Sequence, residues 1–136
     1  MGNNNKNKNK GKDNIFANSD VMGREGLKFI KDMAFGNINQ STADLAFSNP
    51  DYVRILLQHV ENLRKTIWYE YYAVNTVYGN LKDTYFQNII KKHESKYNAY
   101  STICGYLKLL ITQNCTDYMR VLLSMQSNIK QYKYCI

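Results

Sequence analysis

Two long apolar stripes dominate this sequence and limit what it can fold into. The first reads Val53, Leu56, Val60, Leu63, Ile67, Tyr71, Val74, Tyr78. The second reads Phe86, Ile90, His93, Tyr97, Tyr100, Cys104, Leu107, Ile111. Every step in both is three or four residues, so each stripe lies along one side of an α-helix and not along one face of a strand. Only the seven residues 79–85, opening on Gly79-Asn80, separate them. A break that short joins helices as an antiparallel hairpin.

Local signals place the ends of these helices. Asn49-Pro50-Asp51 combines a capping side chain, a proline at the first helical position and an acid in the first turn. Pro50 is the single proline in the chain, and nothing downstream interrupts the helix until Gly79. The first long helix is therefore expected over 50–78 and the second over 81–112. Shorter helices are expected on either side. Val21 to Phe35 carries Leu27, Ile30 and Ala34 on one face, with Ser19-Asp20 before it and Gly36 at the C′ position. Gly23 and Gly26 weaken its first half. Residues 41–47 form a short capped turn of helix. A last helix after Thr116 carries Tyr118, Val121, Met125, Ile129 and Tyr132.

Stripes like these are stable only when buried against one another. The fold class that follows is all-α: an up-and-down helical bundle with two long central antiparallel helices. Residues 19–136 make one helical-bundle domain. Residues 1–18 make a basic, low-complexity, extended N-terminal arm. Residues 2–14 contain no apolar side chain, so they cannot form a core of their own.

The arm concentrates charge. Lys6, Lys8, Lys10 and Lys12 stand at alternate positions against Asp13 alone, while the whole chain carries +7. Clustered charge of this kind favours an anionic partner, either nucleic acid or an acidic protein surface. Lys82, Lys91, Lys92 and Lys96 form a second basic group on the second long helix. If aligned with the arm, the two groups would make one phosphate-contacting footprint.

Chemistry is harder to find. Cys104, Cys115 and Cys135 are odd in number and form no C-x-x-C, which argues for reduced thiols and against a zinc ribbon. His59 and His93 lack the Glu three residues earlier that a bundle di-metal site requires, since Leu56 and Ile90 stand there. Cys115, His93 and Glu94 could be written as a nucleophile, base and acid, but no motif supports the grouping. No catalytic residues, metal ligands or cofactor are expected, and the chain reads as a non-enzyme. No apolar run reaches the ~18 residues of a membrane span, and no signal peptide is visible. A lipid anchor is not expected, because Lys6 occupies the Ser/Thr position of the myristoylation motif.

The remaining lead is aromatic. Trp68, Tyr69, Tyr71 and Tyr72 fall within five consecutive positions, more than one helical turn, so they cannot all face one core. Tyr and Trp suit surfaces that are part buried and part wet, as at protein interfaces. The reading is a non-enzymatic structural component of a large particle, a virion or phage capsid protein being the preferred instance. Its partners would be neighbouring subunits, and its location virion or intracellular. A small nucleic-acid-binding protein and a helical adaptor are the alternatives.

Overall fold

The computed structural model describes residues 19–136. Among these residues it is all-helical, with five α-helices packed against one another and no strand. The described part of α1 covers 19–34; α2 covers Gln40–Ala46, α3 Pro50–Tyr78, α4 Thr84–Thr112 and α5 Tyr118–Ile129. A short 3-10 turn over Lys130–Tyr132 follows α5. The arm, with Lys6, Lys8, Lys10 and Lys12, lies outside the described residues.

The caps explain the boundaries. α1 ends in a Schellman motif: Asn37 N–H donates to Asp32 C=O at 3.0 Å, and Gly36 takes a φ of +98° that a side chain would resist. Asn49 accepts from the Asp51 N–H at 3.0 Å and Pro50 begins α3, as the sequence anticipates. α4 starts at Thr84 instead of Leu81 because the Asp83 carboxylate caps it, accepting from the Tyr85 N–H at 2.8 Å. Leu81 and Lys82 stay in the connection, where Gln87 Nε2 donates to the Leu81 carbonyl at 2.7 Å. The α4–α5 turn also differs from expectation. Asn114, Cys115 and Asp117 all adopt left-handed φ values of 51°, 59° and 55°, and Asp117 takes the cap position expected of Thr116. The tight winding tucks Cys115 into the protein interior.

Contacts between helices give their directions. Tyr78 stacks on Phe86 at 4.2 Å, His93 Nε2 lies 3.6 Å from Glu70, and the Trp68 and Tyr97 rings are 5.7 Å apart. Numbers rise on α3 as they fall on α4, so these helices run antiparallel. Tyr52 Oη donates to the Met22 carbonyl at 3.0 Å, tying α1 to the lower part of α3. Tyr106 Oη bonds Ser124 of α5 at 3.2 Å, and Gln126 of α5 donates to the Met33 carbonyl of α1 at 3.0 Å. α2 closes the base: Phe47 is fully buried with its ring 5.0 Å from Phe29, and Asp44 meets the Tyr118 hydroxyl.

The two glycines that weaken α1 as an isolated helix have a tertiary purpose. A Cβ on Gly23 would stand 2.6 Å from His59 Cγ, and one on Gly26 2.8 Å from a Leu56 methyl. Only hydrogen fits there, so α1 rides close on α3. His59 is thereby a packing residue at the α1–α3 contact.

Candidate interaction surface on the helical hairpin

α3 and α4 each hold 29 residues, about 43 Å of helix at 1.5 Å per residue. The described part of α1 is little more than half that length, and α5, at 12 residues, is under half. Both pack on the base of the hairpin. Among the described residues, no helix lies over the other end of α3 and α4.

Burial follows this geometry along columns of heptad spacing. On α3 the column Val53, Val60, Ile67, Val74 faces the bundle centre. Val53 and Val60 are fully buried, Ile67 nearly so, and Val74 only half. On α4 the column Leu107, Tyr100, His93, Phe86 runs the same way: the first two are buried, the last two half-exposed. Identical positions in the repeat thus change from core to part-exposed beyond the described stretch of α1 and beyond α5. Apolar side chains accumulate on that part. Val77 is 65% exposed and Tyr85 67%, with Leu81 open beside them in the connection.

The aromatic group sits on the same projecting part. Trp68, Tyr69 and Tyr72 are exposed, Tyr72 to 61%, while Tyr71 is half-buried. Trp68 is the hub, with Tyr71 at 5.9 Å, Tyr72 at 6.4 Å and Tyr97 of α4 at 5.7 Å between ring centroids. Helical phase puts Trp68 and Tyr72 about 200° from Thr66 and Glu70 respectively, at about 100° per residue. They lie on the flank opposite the α1 side of α3. Beside Trp68 an open depression of about 420 Å³ is lined by Glu61, Asn62, Arg64, Lys65 and Tyr97. Its mix of rings and opposite charges suits a polar protein rim.

The basic group is spread out. Lys82, Lys91 and Lys92 are exposed and Lys96 half-buried. Lys92 and Lys96 share a side of α4, but Lys91 is turned about 100° from Lys92 and about 140° from Lys96. Lys82 stands in the connection at the tip.

Among the described residues, the groups the sequence offers as nucleophile, base and acid lie apart. His93 Nδ1 lies 2.9 Å from the Ile89 carbonyl while its Nε2 faces Glu70. Cys115 is buried near Arg54, and burial pushes its thiol up. Arg54 and Glu70 are 16 residues apart on α3, about 24 Å, so Cys115, His93 and Glu94 do not come together. Among the described residues no group of three His, Cys, Asp or Glu is placed to hold a metal ion, and no helix is long and apolar enough to cross a membrane. The tip residues Val77, Leu81 and Tyr85 escape a sequence reading built on the aromatic run. No family model, curated protein or solved structure matches this chain significantly, so its function must be argued from this surface alone.

Proposed function

We propose that this chain is a non-enzymatic structural component of a large assembly, a virion or phage capsid component being the specific instance. It contacts neighbouring subunits through the projecting part of the α3–α4 hairpin, and its lysine arm contacts an anionic surface. One observation carries the reading: exposed aromatic side chains at Trp68, Tyr69 and Tyr72 gather on the part of the hairpin beyond the described stretch of α1 and beyond α5. Large rings left half-open on a rigid scaffold are the residues that anchor protein contacts. The scattered directions of Lys91, Lys92 and Lys96 favour a protein neighbour over a phosphate track on this face.

The test is incorporation. The full chain should co-purify in fixed stoichiometry with a particle whose mass can be measured intact. Trp68→Ala with Tyr72→Ala should reduce incorporation at least tenfold while the helical circular-dichroism signal stays unchanged. Deleting residues 1–14 should also impair incorporation without unfolding the body. A chain that stays free of any particle, but binds nucleic acid with an affinity falling steeply as salt rises, would refute the assembly reading.

A further inference from the structure

A cleft opens between the C-terminal end of α1 and the outer side of α5, and we propose that it docks an acidic segment of a partner protein, an apolar side chain flanked by carboxylates. The cleft is a surface separate from the hairpin, so the inference does not rest on the assembly reading. It holds about 400 Å³. Its floor is Met33 and Ala34, both buried, and Phe35 and Leu123 form exposed apolar walls.

Positive charge edges this apolar space. Lys130 and Lys133 stand three residues apart on the 3-10 turn, where side chains at that spacing eclipse, so both reach the same rim. Lys133 Nζ lies 5.7 Å from the Phe35 ring centroid and 5.3 Å from that of Tyr134, and the two rings meet edge-on at 5.4 Å. The rings thus fix one cation at the mouth of the cleft. Lys31, about 60° round α1 from Ala34, adds a third at its edge. Among the described residues no carboxylate lines the cleft or pairs with Lys130 or Lys133. Asp32 points about 160° away from Ala34. Nor do the lysines serve to cap α1. The Met33 carbonyl accepts from Gly36 N–H and from Gln126 Nε2, both at 3.0 Å, and the Asp32 carbonyl from Asn37 N–H.

The chain itself does not supply the occupant. Phe35 is 16 residues from Ser19, about 24 Å along α1. Ile15, Phe16 and Ala17 lie within four residues of Ser19, a covalent reach of about 14 Å at most, so they fall short of the cleft. Residues 2–14 are long enough to span the distance, but they bring four lysines and no apolar side chain. A second copy, at +7, approaches the lysines with like net charge. The complementary ligand is anionic outside and apolar at its centre. An apolar floor with cations at one end suits such a peptide better than the repeating phosphates of nucleic acid, which need a track of cations.

Two-dimensional NMR of the isotope-labelled full chain, titrated with two short synthetic peptides, tests this. Both peptides are rich in Glu around a Phe and a Leu, one spaced for a helix and one for an extended strand. At least one should shift the Gly36, Leu123, Gln126 and Lys133 amides saturably, with a dissociation constant of about 10–300 μM, as suits a small site. The same peptide with Gln for Glu should bind at least tenfold more weakly. Leu123→Asp, and Lys130→Glu with Lys133→Glu, should each weaken binding at least tenfold at unchanged helicity. The double charge reversal should in turn bind the Lys-for-Glu peptide more tightly than the wild-type chain does, which a merely distorted cleft would not. Trp68→Ala with Tyr72→Ala should leave binding within twofold. No shift at these amides up to about 1 mM of either peptide overturns the inference. Equal binding of the Gln peptide does so too, as does a single-stranded oligonucleotide that occupies the same amides more tightly than both peptides.

Discussion

Leu56 and Val77 occupy the same heptad position on α3, three repeats apart, yet truncating them should have opposite consequences. Leu56 is fully buried beneath α1, its methyls filling the space above Gly26. Leu56→Ala removes three carbons at about 0.8 kcal/mol each and leaves a cavity that a close helix pair cannot collapse, for a cost of about 3–5 kcal/mol. Val77 is 65% exposed. Val77→Ala loses about a third of the burial of two carbons, about 0.6 kcal/mol, and regains a similar amount because alanine is the better helix former. Its net effect should be within about 0.5 kcal/mol of zero. Urea denaturation followed by circular dichroism separates the two. A loss above about 2 kcal/mol for Val77→Ala would show that the tip is covered within the monomer, and the distinction between base and projection would fall. A loss under about 1 kcal/mol for Leu56→Ala would refute the close α1–α3 contact.

Two further outcomes test the packing and the buried titratable groups. Gly23→Ala should destabilise by about 1–3 kcal/mol despite its helix propensity, because the new methyl meets His59, whereas Gly105→Ala, with nothing within 4 Å, should stabilise by up to about 1 kcal/mol; thermal melts of both variants check the pair, and equal signs would be wrong for this contact. Burial pushes the Cys104 and Cys115 thiols and the Tyr52 and Tyr100 phenols up. A raised folded value means that the native state holds these protons more tightly, so their stabilisation is complete below the unfolded values and lost as pH rises through the folded ones. The melting temperature should therefore fall from about pH 8.5 upward, more steeply than in Cys104→Ala, and a flat profile to about pH 10.5 would contradict the burial of these groups.

Much of the architecture is written in short-range signals. Asn49-Pro50-Asp51 and the unbroken 3–4 spacing to Tyr78 define α3, because capping and amphipathic phase act within one or two turns. The run from Trp68 to Tyr72 likewise declares a surface, since five positions outspan any single face. Gly23 and Gly26 carry the opposite lesson. Read locally they weaken a helix, and only the approach of His59 and Leu56 reveals them as the condition for close packing. The start of α4 at Thr84 and the left-handed turn at Asn114, Cys115 and Asp117 also escape local reading, as they depend on a competing cap and on burial of a side chain from another element.

From sequence alone came the all-helical class and the two long apolar stripes joined near Gly79. Periodicity is a property of the chain itself, and it dictates which side of each helix must be buried. Periodicity does not say what does the burying. Val60 and Val74 look alike in the stripe, yet one is core and the other half-open, since α1 meets α3 at Leu56 and His59 and no described helix lies over Val74. Burial is a relation between elements distant in sequence, so only the tertiary arrangement could decide which positions of a continuous apolar stripe become core.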